Sequence, residues 1–384
     1  GNPPFVITVP VNPQPVAINQ TKAVVCSNDA FSFDPQTQIT NSVSSNFAWT
    51  AVYPAGLTGG AGNGTGNVAE TLVNLTTGQL SAVYTVTPTS IDGCVGANFT
   101  ITVPINPEPV GANVTKAAAC SNVQFSFNPQ LDITNGVASN FTWTAAYDAG
   151  LTGGANNGTG TIIETLENVT GGVLNAVYTI TPTSTAGCIG NNFTITVPVN
   201  PEPVGVTDIK AIVCSDVAFN FNPQADVSNG VTSTFTWTAS YAAGLSGGAG
   251  AGVGNIAETL TNLTGAALNA TYTITPTSSN GCVGDPFTIT VPIDSEPVAA
   301  NSTKGAVCSD APFNFNPQDE ITNGTTATFT WTAVYPAGLT GGDANGVGVI
   351  NQTLTNQTGG QLSAVYTITP TTAGSCVGTN FTIT

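Results

Sequence analysis

The sequence predicts an all-β protein made of tandem two-sheet sandwiches, and three observations carry this prediction. Each Trp lies in an alternating apolar–polar run such as Phe47-Ala48-Trp49-Thr50, the pattern of a strand with one buried face. No segment has apolar residues at helical spacing, and the abundance of Thr, Val, Asn and Gly favours strands and turns. The four Trp residues recur every 94 residues, and we predict them as core anchors: Trp49, Trp143, Trp237 and Trp331.

The Trp spacing also predicts the domain organisation, because a unit of this length can bury its own core. The predicted repeats are residues 13–106, 107–200, 201–294 and 295–384. Residues 1–12 match the ends of the repeats, so they are predicted to be the last strand of a preceding repeat. The strand at 381–384 is predicted to be truncated, and the sequence is interpreted as a window of a longer array. A Pro-x-Pro joint such as Pro107-Glu108-Pro109 opens each repeat except the fourth, and proline makes it stiff.

The elements of one repeat follow from strand and turn signals. A Cys-Ser turn ends the first strand, Asp34-Pro35 ends the second, and a Gly-rich loop follows the Trp strand. Short strands at regular spacing predict a sandwich of about seven strands. The first repeat has predicted strands at residues 16–25, 31–33, 47–54, 70–74, 80–88 and 99–103.

The strand motifs resemble those of PKD-like immunoglobulin-like domains. In the second repeat these motifs are Asn-Pro-Glu-Pro-Val (106–110), Cys-Ser (120–121), Phe-Thr-Trp-Thr (141–144), Gly-Cys (187–188) and Phe-Thr-Ile-Thr-Val (193–197). The Trp-Asp-Phe-Gly-Asp-Gly run of standard PKD domains is missing, so the resemblance is to the PKD-like variant. That variant is tandemly repeated in giant surface adhesins of Bacteroidota, including gliding-motility adhesins. The resemblance implies an elongated rod, export by the type 9 pathway and a role at the cell surface.

The composition excludes several function classes. The chain has four basic residues, all Lys, against 21 acidic residues, and its net charge is −17. Nucleic acids and anionic membrane surfaces both require clustered basic residues, so neither is predicted as a partner. No apolar run has the length of a transmembrane helix, so direct membrane insertion is not predicted either. The chain also lacks His and Arg, and we predict neither enzymatic activity nor a cofactor.

Two acidic or Gly-rich patterns receive structural interpretations. A single Glu recurs near the Gly-rich loop, at Glu70, Glu164 and Glu258, and Gln352 replaces it in the fourth repeat. We interpret this Glu as a solvated strand edge. The Gly-rich loop lacks the βαβ context of a phosphate-binding loop and is predicted to be a flexible connection. Asp343 is its only carboxylate in any repeat, so no metal site is predicted.

A Lys at one fixed position in every repeat could form an isopeptide bond with an Asn of the last strand. The candidates are Asn98, Asn192 and Asn380, but Pro286 occupies that position in the third repeat. We therefore interpret the Lys as a solubilising residue at a strand end. The four residues are Lys22, Lys116, Lys210 and Lys304.

The eight cysteines occur two per repeat without zinc-binding spacing, which predicts disulfides and an extracellular protein. Cys26 lies in the first turn and Cys94 in the last hairpin, at opposite ends of an immunoglobulin-like sandwich. Bridged Cα atoms lie within about 7 Å, so pairing within a repeat is disfavoured and pairing with the next repeat is favoured. Pairing within the repeat stays the alternative. The favoured pairs are Cys26–Cys188, Cys120–Cys282 and Cys214–Cys376, with Cys94 and Cys308 pairing beyond the window.

The predicted function is a structural stalk that gives reach and stiffness to a distal adhesive region of a secreted surface adhesin or filament. The predicted partners are further copies of the repeat in the same chain, with surface glycans or a motility and secretion apparatus contacted through other regions. One alternative is a glycan-binding module that uses exposed aromatic residues such as Tyr53 or Tyr147. The other is a filament subunit that exchanges strands, with residues 1–12 filling the truncated end of a neighbour.

Overall fold

The computed structural model describes residue 1 and residues 4–384. By contacts the chain divides into two compact units, Gly1–Asn168 with Val173–Asn200, and Val169–Gly172 with Pro201–Thr384. The first unit holds the first two repeats apart from residues 169–172, and the second unit holds those four residues and the last two repeats. Each repeat has its own apolar core, and every core contains one Trp. The all-β prediction is confirmed.

The first unit contains two sandwiches with matching strands. The first repeat has strands Gln20–Thr21, Val25–Cys26, Ala30–Phe33, Ser45–Val52, Leu57–Thr58, Asn63–Thr65, Val68–Thr71, Val73–Asn74, Leu80–Ser90 and Phe99–Asn106. The second has Val114–Thr115, Ala119–Cys120, Phe125–Phe127, Ser139–Tyr147, Leu151–Thr152, Asn157–Thr159, Ile162–Glu164, Glu167–Asn168, Leu174–Ser184 and Phe193–Asn200.

The second unit repeats the arrangement. The third repeat has strands Asp208–Ile209, Val213–Cys214, Ala218–Phe221, Ser233–Tyr241, Leu245–Ser246, Ala251–Val253, Ile256–Thr259, Thr261–Asn262, Leu268–Ser278 and Phe287–Asp294. The fourth has Pro312–Phe315, Thr328–Val334, Leu339–Thr340, Asn345–Val347, Ile350–Thr353, Thr355–Asn356, Val365–Thr371 and Phe381–Ile383.

The larger sheet of a repeat is built around the last strand. In the first repeat Phe99–Asn106 pairs antiparallel with Leu80–Ser90 and parallel with the two short pieces of the first strand. The Trp strand Ser45–Val52 follows next, and Asn63–Thr65 forms the edge. The second layer holds the pair Ala30–Phe33 with Val68–Thr71. Because the first and last strands run parallel, the first turn and the last hairpin lie at opposite ends of the sandwich.

Each repeat also contains one short 3₁₀ helix after its second strand. Asp34 caps the first of them by accepting a hydrogen bond from the backbone N–H of Gln36 at 2.9 Å, and a proline occupies the first helical position. An Asn provides the same cap in the other repeats. The four 3₁₀ helices are Pro35–Gln38, Pro129–Asp132, Pro223–Asp226 and Pro317–Glu320.

The N-terminal segment, predicted to be the last strand of a preceding repeat, has no strand partner among the described residues. Its first twelve residues include residues 2 and 3, which lie outside the described residues. Residues 4–12 form no strand, and Phe5 is 89% exposed. A strand requires a hydrogen-bonded neighbour, and the described chain places none beside this segment.

The predicted core anchors lie inside the sandwich. Trp49 is 7% exposed, and its ring meets Tyr84 edge to face at a centroid distance of 5.7 Å. Trp143, Trp237 and Trp331 make the same contact with the corresponding tyrosines. The indole N–H of each Trp has no hydrogen-bond partner among the described residues, so these rings act as apolar fillers.

The Gly-rich loop is more ordered than predicted. Within it Asn63–Thr65 pairs with the Trp strand, and Gly64 lies opposite Trp49. A Cβ atom at Gly64 would lie 2.4 Å from Trp49 Cζ2, so the indole requires glycine there. Gly62 and Gly66 flank this short strand with φ of +76° and +71°, in the left-handed region that glycine favours.

We therefore expect Gly64→Ala to destabilise the first repeat by about 1–3 kcal/mol, the range typical of an overpacked core. Hydrogen exchange followed by mass spectrometry measures this repeat by repeat, with the other three repeats as internal references. The control is Gly78→Ala, where an added Cβ meets nothing within 4 Å. Equal protection of the two variants would contradict the packing role of Gly64.

Candidate functional site

The bridged cysteines join successive repeats within each unit. Cys26 of the first repeat is bonded to Cys188 of the second, with a Cα–Cα distance of 5.6 Å. Cys214 of the third is bonded to Cys376 of the fourth, with a Cα–Cα distance of 5.5 Å. Both bridges have the inter-repeat arrangement favoured by the strand order, because each runs from a first turn to the next repeat's last hairpin.

The remaining cysteines fall into two groups. Cys120 and Cys282 are both disulfide-bonded, and their pairing with each other stays a prediction, since they belong to different units. Cys94 and Cys308 are free thiols, and Cys308 is exposed. For these two cysteines, pairing with a cysteine of another repeat stays a prediction.

The first-turn cysteines are held by a fixed hydrogen-bond pattern. Ser27 follows Cys26, is buried, and accepts a hydrogen bond from the backbone N–H of Asn74 at 3.0 Å. Asn28 has φ of +65° and donates its backbone N–H to the carbonyl of Leu72. Cys26 itself pairs with Asn106 at the end of the last strand. The first turn is thereby fixed to both layers of the sandwich.

The hairpin cysteines are equally constrained. The Cys188 N–H donates to Ser184 Oγ at 3.0 Å, and the Ser184 N–H donates to the Cys188 carbonyl at 2.8 Å. Gly187 supplies the positive φ of +89° that the tight turn requires. Cys188 is 1% exposed, so the bridge is protected from solvent on this side.

Polar contacts accompany each bridge at the joint. In the first unit Asn28 Nδ2 donates to Glu108 Oε2 at 3.0 Å, between a first turn and the Pro-x-Pro segment. In the second unit Asp294 Oδ2 accepts from Thr372 Oγ1 at 2.7 Å in a buried contact. Ser295 stands where the other joints have their first proline. It is 1% exposed, and its Oγ lies 3.1 Å from Thr325 Oγ1. At that joint, hydrogen bonds therefore restrict bending in place of the missing proline.

A second site, which sequence reasoning missed, is a buried carboxylate bound by two tyrosines. In the second repeat the Tyr147 hydroxyl donates to Glu164 Oε2 at 2.9 Å, and the Tyr178 hydroxyl donates to the same oxygen. The backbone N–H of Ala155 in the Gly-rich loop donates to Glu164 Oε1 at 2.9 Å. Glu164 is only 7% exposed. We call Glu164, Tyr147, Tyr178 and Ala155 the carboxylate–tyrosine cluster.

The cluster recurs in the first and third repeats and is altered in the fourth. Glu70 and Glu258 have the same partners. In the fourth repeat Gln352 accepts from the Asp343 N–H at 2.7 Å, and the Tyr366 hydroxyl has no hydrogen-bond partner among the described residues. The interpretation of this Glu as a solvated edge is wrong, because the carboxylate anchors the Gly-rich loop to two strands.

The cluster also corrects the interpretation of Tyr53 and Tyr147 as exposed aromatic residues. Both side chains are half-buried, and each donates its hydroxyl to a carboxylate. Burial, the hydrogen bond to Glu164 and the charge of that carboxylate raise the pKa of Tyr178 far above its usual value of 10.0. The pKa of Tyr84 and that of Tyr272 are raised for the same reasons.

These pKa shifts predict alkaline unfolding. A tyrosine whose pKa is raised by folding stabilises the native state fully below its unfolded pKa of about 10, and the stability falls as pH rises above that value. Each fully buried tyrosine should remove about 1.4 kcal/mol of stability per pH unit there. Absorbance at 295 nm should therefore show ionisation of Tyr84, Tyr178 and Tyr272 only together with unfolding. Free titration of all tyrosines near pH 10 in the folded protein would contradict this.

The Lys residues occupy defined positions instead of free strand ends. Lys116 Nζ lies 2.7 Å from Asp132 Oδ1, with both side chains mostly buried, and over the Phe127 ring. Asn192, the residue considered for an isopeptide bond with Lys116, accepts a hydrogen bond at Oδ1 from Thr181 Oγ1 at 2.8 Å. The side chains of Lys116 and Asn192 therefore have different partners. Lys210 and Lys304 form equivalent ion pairs, while Lys22 donates to Gln20.

The described residues contain no group of three or more acidic, His or Cys side chains that could hold a metal ion. Asp343, the carboxylate of the Gly-rich loop in the fourth repeat, accepts from Gln352 Nε2 at 3.2 Å. Among the described residues no helix is long and apolar enough to cross a membrane.

Solved structures with similar folds include tandem immunoglobulin arrays. An I-band fragment of titin has 8% identity and a TM-score of 0.31, with 72% of this chain and 96% of that chain covered. The eight N-terminal Ig domains of Down Syndrome Cell Adhesion Molecule have 10% identity and a TM-score of 0.26, covering 95% and 48%. An endo-fucoidan hydrolase has 14% identity and a TM-score of 0.22, and the alignment covers 72% of this chain but 43% of the hydrolase.

No curated protein matches the sequence significantly. The family description "PKD-like domain" matches four segments, residues 23–109, 117–203, 211–297 and 305–384. Each segment contains one Trp strand and one pair of cysteines, and together the segments cover most of the chain. The protein therefore belongs to the PKD-like domain family, with four tandem copies of the immunoglobulin-like repeat.

Proposed function

We propose that the four repeats form a structural spacer in a secreted surface adhesin or filament, holding a distal adhesive region away from the cell. The observation that carries this proposal is the disulfide between successive repeats in each unit. A flexible string of independent domains needs no covalent link beside its peptide joint, whereas a stiff spacer gains from one. The disulfides and the repeats also indicate an extracellular protein.

The joints support the same function. The last strand of the first repeat ends at Asn106, and Gly111 already bridges to Ile133 of the second sandwich. Pro107 and Pro109 are buried within that short connection. A joint with fixed φ angles, buried side chains and a disulfide beside it permits little bending.

Small-angle X-ray scattering on the oxidised chain tests the spacer function. With about 40 Å per repeat, we expect a maximum dimension on the order of 150 Å. A radius of gyration of about 21 Å, that of a compact globule of this length, would contradict the proposal. Cys26→Ser with Cys188→Ser provides the matched variant, and we expect broader distance distributions when that bridge is absent.

We further propose that this spacer serves gliding motility at the surface of a Bacteroidota cell, after export by the type 9 pathway. The signature of residues 106–110, 120–121 and 141–144 supports it, because it is similar to the repeats of the gliding-motility adhesin SprB. Antibody labelling of intact cells tests this assignment. Signal that moves along the cell surface supports it, and a purely intracellular signal opposes it.

A second candidate function is a filament assembled by strand exchange, favoured by the exposed apolar side chains of residues 4–12. Phe5, Val6, Ile7 and Val11 are each at least 72% exposed. Concentration-dependent filaments that disappear when residues 1–12 are deleted would support it.

Surface glycans are less well supported as ligands, because Tyr53 and Tyr147 are half-buried and hydrogen-bonded. Saturable binding on a glycan array would reverse that judgement.

A further inference from the structure

The joint of the second unit has two carboxylates where the joint of the first unit has an amide and a carboxylate. In the first unit Asn28 Nδ2 donates to Glu108 Oε2 at 3.0 Å. Asp216 and Glu296 occupy the same two positions two repeats further along the chain. The donor of the first joint is thereby replaced by a group that only accepts when it is ionised. We call Asp216 and Glu296 the joint carboxylate pair.

The first turns that hold Asn28 and Asp216 have the same backbone geometry. Asn28 has φ of +65°, and Asp216 has φ of +59°. The N–H of Asn28 donates to the Leu72 carbonyl at 2.9 Å, and that of Asp216 donates to the Leu260 carbonyl at 2.8 Å. The second turn therefore presents Asp216 to its joint as the first turn presents Asn28.

The joint segments that hold Glu108 and Glu296 are also fixed in the same way. Asn135 Nδ2 donates to the Glu108 carbonyl at 2.7 Å, and Asn323 Nδ2 donates to the Glu296 carbonyl at 2.8 Å. The disulfides beside the two joints have Cα–Cα distances of 5.6 Å and 5.5 Å. Because both ends of the contact are held alike in the two units, the two carboxylates of the pair lie beside each other.

The donors of Asp216 come from its own repeat. Thr261 Oγ1 donates to Asp216 Oδ1 at 2.5 Å, and Ser215 Oγ donates to Asp216 Oδ2 at 3.2 Å. Glu296 is half-buried, and burial followed by the negative charge of Asp216 raises the pKa of Glu296 above its usual value of 4.5. Two ionised carboxylates therefore oppose each other at this joint.

The other groups of the joint do not neutralise the pair. Asp294, the acidic residue nearest to Glu296 in the chain, accepts from Thr372 Oγ1 at 2.7 Å and from the Ser295 N–H at 3.0 Å. The bridging cysteines do not titrate. Asp216 is the charged group that acts on Glu296.

We propose that the joint between the third and fourth repeats is closed by a proton, which Glu296 takes up and donates in a hydrogen bond to Asp216. The protonated carboxyl then supplies the donor that the Asn28 amide supplies in the first unit. When both carboxylates are ionised, they repel each other and this contact is absent. The second unit therefore has a joint that acid tightens, whereas the amide donor of the first unit carries no titratable proton.

The direction of the pH effect follows from the raised pKa of Glu296. A carboxyl group whose pKa is raised in the closed joint binds its proton more tightly there than in the open joint. This stabilisation of the closed joint is fully present below the usual pKa of 4.5, and it is lost as pH rises through the raised pKa. The joint is therefore closed in acid and loosened near neutral pH.

This inference rests on the proposed spacer function and deepens it, because it assigns pH as a regulator of stiffness at one joint. The two can fail separately. A compact scattering profile would contradict the spacer and leave the titration of Glu296 untouched. A joint without a pH response would leave the scattering dimension of a stiff spacer unchanged.

The test uses the full oxidised chain and two reciprocal variants. Asp216→Asn gives the second joint the amide of the first, and Asn28→Asp gives the first joint the carboxylate of the second. Hydrogen exchange followed by mass spectrometry compares each variant with wild type at the same pH, which cancels the intrinsic pH dependence of exchange. At pH 7 we expect residues 295–299 to exchange about three- to tenfold more slowly in Asp216→Asn, the range that one net hydrogen bond gives. At pH 4 the two chains should exchange alike.

The reciprocal variant and the titration of Glu296 complete the test. In Asn28→Asp, residues 107–111 should exchange faster than in wild type at pH 7 and equally fast at pH 4. In a chain with ¹³C-labelled glutamate, the resonance of Glu296 is assigned by its loss in Glu296→Gln. We expect it to titrate at lower pH in Asp216→Asn than in wild type, because the neighbouring charge is gone.

Three outcomes would overturn the inference. The same exchange ratio between Asp216→Asn and wild type at pH 4 and pH 7 would mean that no proton closes the joint. An unchanged titration of Glu296 in Asp216→Asn would mean that Asp216 is not its partner. Unchanged exchange of residues 107–111 in Asn28→Asp at pH 7 would mean that paired carboxylates do not loosen such a joint. This last comparison decides the question by itself if Asp216→Asn does not fold.

Discussion

Pulled by its two ends in a force spectrometer, the oxidised chain is expected to lengthen far less than the reduced chain. The bridges Cys26–Cys188 and Cys214–Cys376 each close 162 residues, and force passes across the bridge instead of through those residues. At about 3.5 Å per extended residue, the two bridges together should shorten the released length by about 1,100 Å. A bridge between Cys120 and Cys282 would leave this length unchanged, because the shortest covalent path does not use it.

The comparison needs two controls. The variant Cys94→Ser with Cys308→Ser has no free thiol and should lengthen under force as much as the oxidised wild type does. Equal lengthening would exclude disulfides between molecules as the cause of the shorter extension. The variant Cys26→Ser with Cys188→Ser should recover about half of the missing length, since one 162-residue closure is gone. Release of the full length from oxidised wild-type chain would contradict the pairing of successive repeats.

Replacing the buried carboxylate should cause a large loss of stability for a single side-chain change. Glu164→Ala leaves the Tyr178 hydroxyl and the Ala155 N–H without their acceptor, while the Tyr147 hydroxyl keeps the Ala155 carbonyl at 2.6 Å. Unpaired buried donors cost about 1–3 kcal/mol each, so a loss of about 2 kcal/mol or more is expected in the second repeat. Hydrogen exchange should localise the loss to this repeat, with early opening of its Gly-rich loop.

The exposed Glu167 provides the matched control in the same repeat. Glu167→Ala should change stability by at most about 0.5 kcal/mol, as is usual for a surface substitution. The fourth repeat offers the reverse experiment in a double variant, Gln352→Glu with Asp343→Ala. Gln352→Glu supplies a carboxylate for the Tyr366 hydroxyl, and Asp343→Ala removes the carboxylate that lies 3.2 Å from Gln352 Nε2 and restores the Ala of the other three repeats. We expect that variant to be more stable than wild type. Equal effects of Glu164→Ala and Glu167→Ala would show that the cluster is not structurally important.

The strands with a clear alternating pattern could be predicted from the sequence. The Trp strand Ser45–Val52 and the long strand Leu80–Ser90 alternate between apolar and polar residues, and the structure has both. The first strand was expected as one continuous segment, but it pairs only at Gln20–Thr21 and Val25–Cys26. The strand Asn63–Thr65 could not be predicted, because it lies in a glycine-rich segment and glycine is uncommon in strands. Its Gly64 is required because the Trp49 ring packs against it.

The carboxylate–tyrosine cluster could not be read from local patterns, because its members come from three separate strands or loops. Tyr147 and Glu164 are 17 residues apart, and Tyr178 follows 14 residues later. One signal was available: two tyrosines and one acidic residue keep the same spacing in three of four repeats. A buried charge without a basic neighbour is unexpected from composition alone, and only the tertiary contacts reveal its three donors.

The direction of the bridges has a consequence for how such a chain changes length in evolution. Both bridges run forward from the first turn of one repeat to the hairpin of the next, and with the predicted Cys120–Cys282 bridge each of the two inner repeats gives one cysteine and receives one. Duplication or loss of a whole 94-residue repeat leaves every internal cysteine with a neighbour of the correct kind. A bridge pattern closed within pairs of repeats would restrict changes to even numbers. With this pairing, recombination can change the number of repeats by one at a time without leaving an internal cysteine unpaired.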